Sequence, residues 1–351
     1  MVGNDKKVFV ALSGGVDSAI AAALLLKRGF DCTGVFMITG DQSRAAQASA
    51  EEVAGQLGIK LYVLDLRRDF EGIFDYFCGE YRKGRTPNPC VLCNKYIKFG
   101  KLWDFARANG GQFLATGHYA RIFEHNNQWG LYEAGNASKD QSYFLSMINR
   151  DVLPYIVLPM GEHSKYQARE MALQFGLSVE ERQESQEICF IPDGDYVAML
   201  EKRYPEAVRK GDIVDGSGRV LGQHSGVHRF TIGQRRGVRV AMGKPYYVVK
   251  IDAESNTVTL GTKEEVMHSR LFATDVNWLT DEPVSAFCAK VKIRYNGKGG
   301  QATVSPQAGG VVVEFDKPNL AITPGQLAVF YVQQGQYSRV VGGGWIDSVA
   351  D

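Results

Sequence analysis

The chain has 351 residues and carries 40 Lys and Arg against 39 Asp and Glu, a formal net charge of +1. Its length allows two or three domains, and an apolar share of 44% excludes extensive disorder. Only a few polar residues precede the first apolar strand, which leaves no room for a signal peptide, and the run Ala19 to Leu26 is too short to span a bilayer. The expectation is a soluble, cytoplasmic protein with no membrane partner. Its six cysteines then read as buried thiols, metal ligands or reactive groups rather than structural disulfides.

Lys7 to Leu12 reads as a buried strand that runs into Ser13-Gly14-Gly15-Val16-Asp17-Ser18, and Ala19 to Leu26 reads as a helix stopped at Gly29. The two glycines let the backbone approach a ligand closely, and the helix aims its free N–H groups and positive dipole end into the turn. Such a turn suits phosphate. It has neither the lysine of a Walker loop nor the three glycines of a dinucleotide fold. It resembles the S-G-G-x-D-S pyrophosphate loop of ATP pyrophosphatases, which cleave ATP between the α and β phosphates. The plainer reading is a strand-to-helix turn with Asp17 or Ser18 as N-cap.

Further along, Cys32 to Ile38, Lys60 to Leu66 and Gln112 to Thr116 read as buried strands. Gln42 to Leu57, Lys95 to Ala108 and Lys165 to Phe175 read as helices. This alternation predicts an α/β parallel sheet covered by helices, with ligands at the C-terminal ends of its strands. Cys90 and Cys93 form a C-x-x-C within Thr86-Pro87-Asn88-Pro89-Cys90-Val91-Leu92-Cys93-Asn94, ahead of a helix whose N-terminus favours thiolate. Cys189 stands apart in Ile188-Cys189-Phe190, while Cys32, Cys78 and Cys288 read as buried packing. A structural zinc would want a second C-x-x-C, and none exists.

The pattern changes near Tyr204-Pro205. Short β-rich runs follow, Tyr246 to Ile251 and Thr257 to Leu260. Phe287 to Tyr295, Gly310 to Phe315, Gln326 to Gln333 and Ser338 to Ile346 then have the spacing of a small barrel. Three modules are expected: α/β over 1–203, a small basic β-rich module over 204–268, and a β-barrel over 269–351. Ser217 to Lys250 carries Arg219, Arg229, Arg235, Arg236, Arg239, Lys244 and Lys250 with no acid, the footprint that a phosphate backbone selects. A solvated basic face with no partner fits the same charges.

Taken in order, several motifs resemble those of the bacterial tRNA 2-thiouridylase family. They are the Ser13–Ser18 loop, the Thr86–Asn94 segment, Ala115-Thr116-Gly117-His118-Tyr119, and Lys139-Asp140-Gln141-Ser142-Tyr143-Phe144-Leu145. Ile188-Cys189-Phe190-Ile191, Phe230 to Gly237, Lys292-Ile293-Arg294-Tyr295 and Gly342-Gly343-Gly344 complete the set. The resemblance implies a Rossmann-like domain of the HUP, adenine nucleotide α-hydrolase type and a reaction in which ATP activates the 2-carbonyl of a wobble uridine. It implies a nucleotide site at Ala11, Leu12, Ser13, Gly14, Gly15, Val16, Asp17, Ser18, Met37 and Gly117, with Mg2+ accompanying ATP. It implies tRNA contacts at Asn88, Pro89, Cys90, Lys139, Asp140, Gln141, Arg294 and Tyr295, and a protein that delivers sulfur, a cysteine desulfurase or a sulfur carrier. Cys189 would carry sulfur as a persulfide and Cys93 would be its catalytic partner. The family commonly has Asp where this chain has Cys90, so the general acid–base role stays unassigned. Cys90, Cys93 and Cys189 as ligands of a [4Fe–4S] cluster are the alternative sulfur route, and clusters normally take four thiolates. A small-molecule adenylating ligase, or an RNA-binding module that senses ATP, would share the loop without the thiol chemistry.

Overall fold

The structure is a computed structural model that describes residues 6–40, 43–177, 188–191, 194–238, 240 and 245–350. Its first part is a parallel sheet of β1 (Lys7–Ala11), β2 (Asp31–Ile38), β3 (Leu61–Asp65), β4 (Phe113–Ala115) and β7 (Ile156–Val157), in the order β3-β2-β1-β4-β7. Val8, Phe9 and Val10 of the central strand are fully buried, as both faces of a parallel sheet are covered. Helix α1 (Val16–Lys27) is alanine-rich, so it lies close to the sheet and to the helix Lys165–Gln174, where Ala168 and Ala172 join the same core. Truncating its fully buried Leu25 to Ala would cost about 2–5 kcal/mol. α2 (Ser43–Leu57) and α3 (Arg67–Arg82) complete the crossovers. The helix expected from Gln42 begins among the described residues at Ser43, and Gln42 lies outside them.

One expectation for this sheet fails. The Lys60 to Leu66 strand is not buried: β3 is the edge strand, none of its residues is closed to solvent, and Val63 is 40% exposed. Strand order, which local composition does not encode, decides this.

The helix expected over Lys95 to Ala108 starts earlier and changes pitch. α4 (Pro89–Leu92) runs directly into a π-helical stretch, Cys93–Lys101, and then into α5 (Leu102–Ala108). Proline at the first position of α4 needs no N–H partner, which fixes the start.

The central sheet has the order β10-β11-β8-β9, from β8 (Gly211–Asp215), β9 (Val220–His224), β10 (Tyr247–Asp252) and β11 (Thr257–Gly261). The last part is an antiparallel barrel of β12 (Met267–Trp278), β13 (Phe287–Lys292), β14 (Gly300–Gln307), β15 (Gly310–Leu320), β16 (Leu327–Gln334) and β17 (Tyr337–Ala350), in the order β12-β15-β14-β13-β16-β17. Pairing of β12 with β17 closes it around Leu271, Val304, Val313 and Phe330. The α/β sheet, small β module and barrel expected from the sequence are all present.

A hairpin from the first part, β5 (Arg121–His125) and β6 (Gln128–Tyr132), also joins the barrel sheet through β6 and β17. Asn126 and Asn127 turn it, both with positive φ, as a two-residue type I′ connection requires. Among the described residues no helix is long and apolar enough to cross a membrane.

Candidate active site

The loop after β1 opens at the C-terminal edge of the parallel sheet, beside the point where strand order reverses between β1 and β4. Gly14 holds φ at +75°, and a Cβ there would fall 2.4 Å from the Ala46 carbonyl oxygen, so only glycine fits. Ser18 ties the turn shut: its hydroxyl accepts from the Ser13 N–H at 3.1 Å and donates to the Gly15 carbonyl at 2.9 Å. The N-cap, Gly15, has no side chain to bond the first N–H groups of α1, so these face the turn unspent. The N-cap role that the plainer reading of the turn gave Asp17 or Ser18 is not taken, since both lie inside the helix.

Asp17 is held from outside the loop. Lys165 Nζ reaches both carboxylate oxygens at 2.8 and 2.7 Å, and the Tyr119 hydroxyl donates to Oδ1 at 2.7 Å. Lys165 is set by a capping box in which Ser164 Oγ accepts from Gln167 N–H and Gln167 Oε1 accepts from Ser164 N–H. Gly117 follows β4 and presses on the same turn, where an added Cβ would sit 2.8 Å from the Asp17 carbonyl carbon and the Ser18 nitrogen. Loop and Gly117 are therefore brought together as expected. Lys165 and Tyr119 were not singled out as site residues. Tyr119 stood within a matched motif, whereas Lys165 offered only a cation at the unfavourable end of a helix.

Met37, at the end of β2, packs in a small apolar cluster with Phe70, Ile73, Ile97, Leu92, Cys93 and Phe190. This cluster joins three stretches far apart in sequence: the nucleotide-site candidate Met37, the C-x-x-C helix, and the residue next to Cys189. The π-helical pitch matters here. Residues five apart lie about 140° apart around an α-helix, whereas i→i+5 bonding brings them near one face. Lys98 is thereby turned towards the side that carries Cys93.

The thiols depart from the low-pKa expectation. Burial pushes Cys90 and Cys93 up, with Lys98 opposing it, and Cys189, although exposed over its outer surface, is pushed up to about 11 by burial and by the neighbouring Cys93 and Cys90. Desolvation outweighs both the helix end and the cation. These mutual effects place the three thiols and Lys98 in one neighbourhood. His118 is held well below its usual range by burial and by Lys98, so it is neutral. Its Nε2 lies 3.4 Å from Lys98 Nζ, which can only donate, so Nδ1 carries the proton towards Thr116 Oγ1 at 2.7 Å. Among the described residues no three His, Cys, Asp or Glu side chains converge to hold a metal ion. Of the cysteines expected to be packing, Cys32 and Cys78 are buried, but Cys288 is exposed because it points outward from the barrel on β13.

The residues carried over as tRNA contacts assemble, with a correction. Lys292 of the barrel reaches Asp140 at 3.2 Å and Glu133 at 2.8 Å, bringing the Lys139–Gln141 turn beside Arg294 and Tyr295. Tyr295 lies 4.4 Å from the ring of Phe144, whose carbonyl accepts from Asn94 at 3.1 Å. Asn88 and Pro89 are buried, and the barrel clamps the residues before them through Gln326, which donates to the Thr86 and Pro87 carbonyls. Asp140 faces inward rather than outward: it accepts from Ala134 N–H, from Ser142 N–H and hydroxyl, and from Lys292. Its carboxylate is structural. The basic window is also partly neutralised, since Arg219 pairs with Asp215, Arg229 with Glu201 and Lys250 with Asp252. Arg235 and Arg236 are exposed without an acidic partner among the described residues, and Arg239 and Lys244 lie outside those residues.

Family models match along the chain: a tRNA methyl transferase HUP domain over residues 6–193, a tRNA methyl transferase PRC-barrel domain over 198–262, and an aminomethyltransferase beta-barrel domain over 268–346. The tRNA-specific 2-thiouridylase MnmA of Syntrophotalea carbinolica is 45% identical over 351 residues, covering 97% of this chain and 99% of the relative. The enzyme of the same name from Carboxydothermus hydrogenoformans is 44% identical, covering 97% and 98%. The chain belongs to the tRNA-specific 2-thiouridylase family. A solved structure of the U34-tRNA thiolase NcsA from Methanococcus maripaludis with its [4Fe-4S] cluster is 17% identical and covers 58% of this chain and 69% of that one. Its TM-score of 0.38 makes the likeness too distant to inform the site.

Proposed function

We propose that the chain thiolates the 2-position of the wobble uridine in tRNA, using ATP to activate the carbonyl oxygen. The observation that supports this reading is that Met37 at the end of β2, Cys93 of the C-x-x-C and Phe190 beside Cys189 pack in one apolar cluster. A uracil 2-carbonyl is urea-like and a poor electrophile. Attack of its oxygen on the α-phosphate of ATP forms an O–P bond, expels pyrophosphate and leaves AMP as the leaving group. The open α1 N-terminus and the Gly14–Gly15 turn receive the phosphates. The base has to leave its stack to reach this depth.

Sulfur then follows. A persulfide on Cys189, supplied by a sulfur-carrying protein, attacks C2 through its terminal sulfur, and AMP departs with the former carbonyl oxygen. The Cys93 thiolate attacks Cys189 Sγ, which frees the thio-uridine and closes a Cys93–Cys189 disulfide that an external thiol must reduce. Lys98 offsets part of the burial that keeps these thiols protonated. Asp17 is the carboxylate of the loop that would hold Mg2+ beside the nucleotide phosphates, in competition with Lys165, whose Nζ lies on both its oxygens. Mg2+ would neutralise phosphate charge there. Among the described residues no three His, Cys, Asp or Glu side chains come together to hold a metal ion, which supports the thiol route over the cluster.

The test is incubation of the chain with ATP, a sulfur source and tRNA carrying an unmodified wobble uridine. Formation of 2-thiouridine with release of pyrophosphate is expected. Absence of both overturns the assignment, and pyrophosphate release with a metabolite and no RNA would favour the small-molecule ligase.

A further inference from the structure

We infer that Tyr119 and Gln141 are positioning residues of the nucleotide site, with Gln141 acting through Tyr119 on the Asp17 carboxylate. The inference rests on the loop being an ATP site, and it gives Gln141 an inward task through its Oε1 and backbone N–H. The bonds are continuous. Gln141 Oε1 accepts from the Tyr119 N–H at 2.9 Å, and the Gln141 N–H donates to the Tyr119 carbonyl at 2.7 Å. Residue 119 is thus pinned at both backbone groups by one partner. Its side chain is almost fully buried and reaches Asp17 Oδ1 with its hydroxyl at 2.7 Å. Asp17 has Lys165 on the same carboxylate, so Tyr119 sets which way that carboxylate faces while Lys165 balances its charge.

Gln141 is itself anchored. The preceding Asp140 is buried and takes four hydrogen bonds, one of them from Lys292 of the barrel. The next residue, Ser142, is fully buried and reaches the Tyr331 hydroxyl at 3.2 Å. A turn fixed on both sides holds a buried tyrosine against a loop acid more than 100 residues away in sequence. Nothing in the chemistry of thiolation asks for that arrangement, whereas orienting a carboxylate beside nucleotide phosphates and their cation does. A side chain placed by such surrounding bonds is a means of preorganising a site.

The experiment is equilibrium binding of ATP with Mg2+ to the full chain, without tRNA, for wild type, Tyr119→Phe, Gln141→Leu, Gln141→Glu and the double variant Tyr119→Phe/Gln141→Leu. Tyr119→Phe should weaken binding about tenfold, since a hydrogen bond to a charged group is lost. Gln141→Leu should weaken it about threefold, and Gln141→Glu, which keeps the acceptor, should recover most of the affinity. The double variant should be no weaker than Tyr119→Phe, because both act on one carboxylate. Wild-type affinity in Tyr119→Phe, or additive losses in the double variant, would overturn the inference. Should Gln141→Leu fail to fold, Tyr119→Phe against wild type still decides it. Failure of the wild type to bind ATP would instead overturn the reading of the loop.

Discussion

The two halves of the proposed site are built on opposite plans. The nucleotide loop is local: six consecutive residues close on themselves through Ser18, and a helix end beside them stays open to ligand. The thiol side is assembled from distant stretches, is dominated by burial, and keeps its cysteines protonated in the resting chain. Phosphate recognition needs only backbone N–H groups in the right turn, which a short sequence can specify. Thiol pKa values are set by everything packed around them, and here desolvation raises all three against the opposing charge of Lys98.

The sharpest way to break this comparison is Cys93→Ser. It should lower 2-thiouridine formation by about a thousandfold while tRNA-dependent pyrophosphate is still released, about one equivalent per chain, measured in one reaction mixture. Loss of both products together would mean that the two halves are not separable. Gly117→Ala tests the other half, because the new methyl would meet Asp17 and Ser18 backbone atoms at 2.8 Å. About tenfold weaker ATP binding is expected, with unchanged alkylation of Cys93 in the apo protein. Changed alkylation would show that the two halves are mechanically one.

Smaller effects come from the surface and from the buried thiols. Replacing Arg235 and Arg236 by Gln should weaken tRNA binding severalfold and lower its salt slope by about one to two, whereas Arg219→Gln, whose partner is Asp215, should change it less. Equal effects would restore the basic stretch as one continuous footprint. Burial pushes the Cys32 thiol up to about 12 and the Cys78 thiol up to about 11 from 9.0. The folded chain therefore keeps protons that the unfolded chain releases, so this stability is complete below pH 9 and lost as pH rises towards 12. The fall in denaturation midpoint between about pH 8 and about pH 10.5 should be smaller in Cys32→Ala, and an equal fall would exclude the thiol as its source.

What could be read from the sequence follows the same division. The loop, its strand and its helix are contiguous, so glycine spacing and apolar runs were enough to place them. Barrel strands β13, β15, β16 and β17 were legible from their punctuation, whereas β12 and β14 were not picked out. The Arg121–Tyr132 hairpin was missed, although Asn126-Asn127 is a two-residue turn signal, because its partner β17 lies some 200 residues on. The exposure of β3 and Cys288 depended on strand order and barrel face, neither of which local pattern encodes. The thiol pKa values depended on burial by residues remote in sequence, so a helix-end argument gave the wrong direction. Asp140 shows the limit of carrying roles over by motif: it sits in the matched segment, yet its carboxylate holds the fold together.

The account stands most directly on where the uridine oxygen goes. The measurement is thiolation of tRNA labelled with oxygen-18 at the 2-carbonyl of the wobble uridine, followed by mass spectrometry of the nucleotide products. The label is expected in the phosphate of AMP, one atom for each 2-thiouridine formed. Label released to water, with AMP unlabelled, would contradict activation of that carbonyl by ATP.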